Sequence, residues 1–237
     1  MRELIGVLTA AAVLGLGATA TSASAIAGAC GQGIASSRYA YAGEQAKTAT
    51  HGVRATITPL VAAPVTSGHV AAWVGVGGLQ SGPRGADVWL QAGVASVPDE
   101  PLLLYAEVMR SAAASPSFIE LKSGVEVGES HRLAVLEMQG RPNWWRVWLD
   151  GRAATKAMHL SGSSGTWQPI ATAESQTTGA QACPVFAFRF AAVQMAASPG
   201  GSWHAFSHGR RILDGAYRLR LLSPGGHAAF SFEVSNG

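Results

Sequence analysis

A chain of 237 residues, 48% apolar and only 13% charged, is long enough to close one large hydrophobic core and too apolar to persist as a solvated, disordered chain. Its formal charge of +3 comes from Arg and Lys scattered along the sequence rather than gathered into a stripe. That distribution leaves no electrostatic footprint for nucleic acid or for an anionic membrane surface.

The chain opens with Met1-Arg2 and an uncharged, Ala- and Leu-rich run from Leu4 to Ala20, followed by small residues ending in Ala23-Ser24-Ala25. A short apolar run behind a basic start and before an A-x-A site is the layout of a secretory signal peptide, and it is too short and Gly-rich for a membrane anchor. The sequence therefore predicts removal of residues 1–25, a single β-sandwich domain over 26–237, a secreted, extracellular location and no membrane contact after cleavage. Export would carry the two cysteines, Cys30 and Cys183, into oxidising conditions, where an even pair is expected to form a disulfide.

Beyond the leader no sustained helical period occurs. Short alternating runs rich in Val, Ile, Trp, Tyr and Phe recur between Gly, Pro and Ser clusters. Strands are predicted near Val53–Thr58, Val70–Val76, Asp87–Val94, Leu102–Met109, Phe118–Leu121, Arg132–Met138, Trp144–Leu149, Trp167–Glu174, Val185–Met195, Tyr217–Leu222 and Ala228–Val234. Many short strands without intervening helices indicate an all-β fold, a sandwich of two antiparallel sheets. The polar segment Gln139 to Asn143 has the length of a hairpin loop, so the strands on either side of it should pair.

Period-2 alternation assigns faces. Leu133, Val135 and Glu137 share one face of their strand. Trp145, Val147 and Leu149 form a wholly apolar face that belongs in the core, which turns Trp144, Arg146 and Trp148 outward. Trp89 and Gln91 stand opposite Val88, Leu90, Ala92 and Val94; Tyr105 and Glu107 stand opposite Leu104, Ala106 and Val108; Glu174 shares its face with Thr172 and Ile170. A concave sheet lined by Trp89, Gln91, Tyr105, Glu107, Trp144 and Trp148 would make a groove with aromatic walls suited to an extended polymer. The same pattern fits an ordinary solvated sheet face.

Several chemistries find no support. No Gly-x-Ser-x-Gly elbow is present, and Gly75-Val76-Gly77-Gly78 opens no helix that could cradle a phosphate. His204 and His208 are four apart, a ligand spacing only on a helix, and Gly209 argues against one. His51, His69, His131, His159 and His227 stand singly beside strand starts or loops. No metal and no cofactor are expected.

The distinctive residues are Trp73-Val74-Gly75, then Leu90-Gln91-Ala92-Gly93-Val94, then Leu104-Tyr105-Ala106-Glu107, each within a predicted strand. In this order they resemble the eqolisin, or glutamic peptidase, family, with similarity running from about Gly52 to Met195. It extends over Val127-Gly128-Glu129, the strand ending at Glu174, and the apolar strand Phe186 to Val193. The resemblance implies a concanavalin-like, jelly-roll type of sandwich. It also implies a catalytic pair in which Glu174 activates water and Gln91 stabilises the oxyanion. Trp73, Trp89, Tyr105, Glu107, Trp144 and Trp148, from the motifs and the groove face, are the expected substrate-binding residues. Gly77 stands where the family carries an aspartate. The expected partner is a polypeptide cleaved at acidic pH; the alternative is a lectin-like module that binds an extracellular glycan or peptide without cleaving it. The sequence does not specify the oligomeric state.

Overall fold

The computed structural model describes residues 39–111, 114–176, 184–206, 209–214, 217–223 and 230–237. The expected signal peptide, residues 1–25, and both cysteines of the expected disulfide, Cys30 and Cys183, lie outside the described residues.

Sixteen strands run through the described residues: β1 (Tyr39–Gln45), β2 (Gly52–Val61), β3 (His69–Gly78), β4 (Val88–Ser96), β5 (Leu103–Met109), β6 (Ser117–Ser123), β7 (His131–Glu137), β8 (Trp144–Leu149), β9 (Arg152–Ala153), β10 (Met158–His159), β11 (Pro169–Gln176), β12 (Ala187–Ala196), β13 (Trp203–Ala205), β14 (Arg210–Leu213), β15 (Arg218–Ser223) and β16 (Phe230–Ser235). They form two antiparallel sheets, as the alternating pattern requires when one face of each strand must be buried. The first has the order β14-β1-β11-β3-β4-β5-β6. The second has the order β10-β8-β7-β2-β12-β16-β15, with β9 on β8 and β13 on β12. The protein is thus an all-β, two-sheet sandwich of the concanavalin-like type.

The core lies between the sheets and is asymmetric. The first sheet supplies mostly small aliphatic groups, among them Val74, Val76, Ala92, Val94, Ala106 and Ala173. The second supplies bulky ones: Phe188, Phe190, Phe230, Phe232, Trp145 and Leu133. Phe190 stacks on Phe232 with centroids 4.7 Å apart. Large groups facing small ones let two sheets close to native density without voids.

The expected hairpin forms: β7 pairs with β8, Leu133 opposite Leu149 and Glu137 opposite Trp145. Trp145 and Val147 are fully buried, as their face predicted. Five strands escaped the sequence reading, β1, β9, β10, β13 and β14. Trp167 makes only an isolated bridge to Thr50, and the following strand begins at Pro169.

One expectation is corrected. Trp144 and Trp148 do not line a groove with Trp89, Gln91, Tyr105 and Glu107. They lie on β8 in the second sheet, whereas β4 and β5 lie in the first, and each set faces away from the shared core. Alternation decides which side of a strand is buried; it does not decide which of two sheets the strand joins. The β7–β8 hairpin docks on β2, and that pairing sends the outer tryptophans to the opposite side of the molecule.

Candidate active site

The outward face of the first sheet is not a plain solvated surface. Ala71, Trp73, Ala95, Leu103 and Tyr105 all point away from the main core, yet they are buried as a second apolar cluster, with Tyr41, Val97 and Ile170 packed around it. At its centre lies Glu174, a carboxylate left only 7% exposed. A buried carboxylate is costly unless its oxygens are given donors. Both are: Trp73 Nε1 donates to Oε2 at 3.1 Å, and His69 Nε2 lies 2.7 Å from Oε1.

Register explains how the site is assembled. Glu174 on β11 pairs with Tyr41 on β1 and with Ala71 on β3. Trp73 pairs with Thr172 on one side and Gly93 on the other; Gln91 pairs with Gly75 and with Glu107. Gln91 and Glu174 therefore stand on strands flanking β3, displaced along it, and Trp73 sits between them.

The glycines of the distinctive motifs are seats for that tryptophan. A Cβ on Gly93 would lie 2.7 Å from Trp73 Cβ and 2.2 Å from the Ala72 carbonyl oxygen. A Cβ on Gly75 would meet the Trp73 ring at 3.1 Å and Gln91 Cβ at 3.0 Å. The indole thus spans from the Gln91 side of β3 to the Glu174 carboxylate. Without the two glycines it could not lie so close to the sheet.

The second half of the face is built on β4 and β5. Gln91 Nε2 donates to the Tyr105 hydroxyl at 3.3 Å, which uses one of the amide's two N–H donors. Trp89 Nε1 donates to Glu107 Oε1 at 3.0 Å. Tyr105 also stacks on Phe118, centroids 5.1 Å apart. Of the eight residues expected in the site, six come together on one sheet face: Trp73, Trp89, Gln91, Tyr105, Glu107 and Glu174. Trp144 and Trp148 do not.

Burial and mutual repulsion set the electrostatics. Burial, and then the Glu174 charge, raise the Glu107 carboxyl above its ordinary range, against the opposing effects of the Trp89 hydrogen bond and His69. Burial with Glu174 and Glu107 nearby pushes the Tyr39 phenol up to about 12 and raises the Tyr41 and Tyr105 phenols well above their ordinary value, so all three remain neutral donors. For His69, burial acts to lower the pKa, but hydrogen bonding to Glu174, the charges of Glu174 and Glu107, and a hydrogen bond with the Gln176 side chain together raise it.

Sequence reasoning missed Tyr39, Tyr41 and His69. Tyr39-Ala40-Tyr41-Ala42 carries the period-2 signal that identifies a strand, with both tyrosines facing the site and both alanines buried in the core. Tyr39 and Tyr41 stack in parallel, and Tyr39 meets the His69 ring edge-on at 6.0 Å.

Gly77, where the resembled family carries an acid, sits at φ +81°, and a Cβ there would lie 2.3 Å from the Val88 carbonyl oxygen. The backbone itself demands glycine. Around it opens a depression lined by Gln45, Lys47, Ser81, Trp167 and Gln168, at the Gln91 end of the face.

No protein-family model matches the chain, and no curated protein matches it. Among solved structures it is similar to scytalido-glutamic peptidase bound to a peptide-based transition-state analog, with a TM-score of 0.56 and 14% identity over 84% of this chain and 98% of the other. It is also similar to SCP-B, a member of the eqolisin family of peptidases in complex with the tripeptide Ala-Ile-His, with a TM-score of 0.52 and 14% identity over the same shares. At such identity the likeness is one of fold.

Proposed function

We propose that the outward face of the first sheet is a peptide-hydrolysing site of the glutamic-peptidase type, in an exported protein. The observation that supports this most is the Glu174 carboxylate, buried and held at both oxygens, on the same face as the Gln91 amide, with Trp73 standing between the two. A carboxylate has about four lone-pair sites, so two donors fix its orientation and leave capacity to accept a proton from water.

In this reading Glu174 takes a proton from a water molecule as its oxygen attacks the carbonyl carbon of a peptide bond. The second N–H of Gln91 donates to the oxyanion that forms, while Tyr105 holds the amide in place. The proton then passes to the leaving amine nitrogen as the C–N bond breaks, and the carboxylate is restored. Tyr39, Tyr41, Trp89 and Phe118 offer apolar walls with few polar points, as an extended peptide requires.

The test is cleavage of a denatured protein substrate across roughly pH 2–7, a range spanning ordinary and raised carboxylate values. Wild type, Glu174→Gln and Gln91→Ala are compared. Removal of the base or of the oxyanion donor should each lower the rate by about 10²-fold or more. Activity that survives Glu174→Gln would assign the chemistry elsewhere.

A second reading is a lectin-like module on the outer face of the second sheet. What favours it is the row Trp144, Arg146 and Trp148, in which the buried Nε of Arg146 has no hydrogen-bond partner among the described residues. The half-buried guanidinium, set between the two rings, would pair with a carboxylate-bearing extracellular polymer. Loss of binding to acidic glycans in a folded Trp144→Ala/Trp148→Ala protein, with hydrolysis unchanged, would separate this face from the first.

A further inference from the structure

Beside Glu174 stands a second titratable group that the mechanism above leaves unused. His69 is the first residue of β3, on the same face as Trp73, and among the described residues its ring and the Trp73 indole are the two side chains that hydrogen-bond the Glu174 carboxylate. The ring is hemmed in from several strands. Glu174 on β11 binds Nε2, the Gln176 side chain on the same strand also hydrogen-bonds the ring, Tyr39 on β1 packs edge-on against it, and the Glu107 charge on β5 acts on it across the sheet. The charges acting on it are thus negative.

A neutral imidazole has one N–H and one acceptor nitrogen, while an imidazolium has two donors. Facing the Glu174 carboxylate at 2.7 Å, an imidazolium donates a charge-assisted hydrogen bond there that a neutral ring cannot match. Loss of its proton removes the charge that faces Glu174 and leaves the ring a single N–H donor.

We propose that His69 is a positioning residue of the site: as an imidazolium it locks Glu174 Oε1 in place, and its deprotonation releases that oxygen and sets the alkaline limit of turnover. The inference rests on the hydrolytic reading of Glu174. Its consequence differs from a purely acid-active site, because a histidine whose pKa lies above its ordinary value keeps its proton through the weakly acid range. The lock is intact below that value and is lost as the pH rises through it.

Two measurements separate this proposal from the reading beneath it. The first is a titration of the His69 ring by NMR, in wild type and in Glu174→Gln, which needs no activity. The wild-type ring should titrate above an ordinary histidine, and Glu174→Gln should bring it down; an unchanged value would overturn the pairing. The second is the pH profile of peptide cleavage for wild type, His69→Gln and His69→Ala, with circular dichroism confirming the fold. His69→Gln keeps an N–H donor but cannot titrate, so the alkaline limb should disappear or move. His69→Ala should lower kcat by about tenfold or more, the scale of a lost hydrogen bond to a charged group, with KM little changed. A profile for His69→Ala that superimposes on wild type would overturn the proposal. If wild type cleaves nothing at any pH, the hydrolytic reading fails, and the positioning role of His69 falls with it even where the NMR titration upholds the pair.

Discussion

Single residues on the first sheet carry more constraint than their chemistry suggests, and the glycines show it best. Gly93→Ala would drive a methyl group into the Ala72 carbonyl and the Trp73 side chain, so it should destabilise the fold by about 1–3 kcal/mol in chemical denaturation. It should also displace the Trp73 N–H from Glu174, so any hydrolysis should fall by more than the loss of folded protein explains. Gly77→Asp restores the acid that the resembled family carries, yet it should yield a less stable protein and no gain in turnover. The positive φ and the Val88 carbonyl at that position exclude a side chain. Trp73→Phe keeps a ring over Gly75 but removes the N–H; it should retain most of the stability while weakening the hold on Glu174.

At the scale of strands, a polar network ties β6 at the edge of the first sheet to the second sheet. Lys122 on β6 of the first sheet bonds Glu129, Glu129 bonds His131 on β7 of the second, and His131 bonds Asp150 beyond β8. Hydrogen bonds from Lys122 and from the Glu126 backbone hold the Glu129 carboxyl down to about 2. A depressed carboxylate contributes stability that is present above its unfolded value and fades as the pH falls through the folded one. The melting-temperature gap between wild type and Glu129→Gln should therefore be open at about pH 5 and close toward pH 2. At the far end of β7, Glu137 is fully buried and is bonded by the His51 ring at 2.6 Å and the Asn143 N–H at 2.7 Å. Alternation placed it correctly on the face of Leu133 and Val135, though nothing in the local sequence announced His51 as its partner.

The limits of sequence reading are of the same kind throughout. That Trp89 shares a side with Gln91, and Tyr105 with Glu107, was legible because a strand has only two sides; that Glu174 joins them on one sheet was carried by the family resemblance and not by alternation. Tyr39 and Tyr41 went unread because their alternating run, Tyr39-Ala40-Tyr41-Ala42, is four residues long and its core positions are alanines, weak strand formers. His69 was passed over because a histidine at a strand start has no local pattern; only the pairing of β3 with β11 brings it to Glu174. Trp144 and Trp148 were misassigned because sheet membership depends on long-range pairing.

For the whole molecule, export and the Cys30–Cys183 bond stand together as proposals. The mature protein should begin at or near Ile26, which N-terminal sequencing of secreted material checks. Non-reducing peptide mapping should recover the two cysteines linked, and because the bridge would close a very long loop, its reduction should cost about 4–5 kcal/mol on the chain-entropy account.

The place of β1 in the first sheet has a further consequence in time. Among the described residues this early strand pairs only with β11 and β14, both from the last part of the chain, and the Tyr41 N–H donates to the Asp214 carboxylate, 173 residues away. His69 and Glu174 are themselves 105 residues apart. A strand with no early partner stays unpaired while the middle strands assemble, and such non-local topologies complete folding in about milliseconds to seconds. In stopped-flow refolding, a probe on the Trp73–Glu174 contact should report later than one on the β7–β8 hairpin. On the proposed hydrolytic reading, a site built in this order cannot act on its own unfinished chain: Glu174 and its partners come together only once the beginning of the chain has met its end.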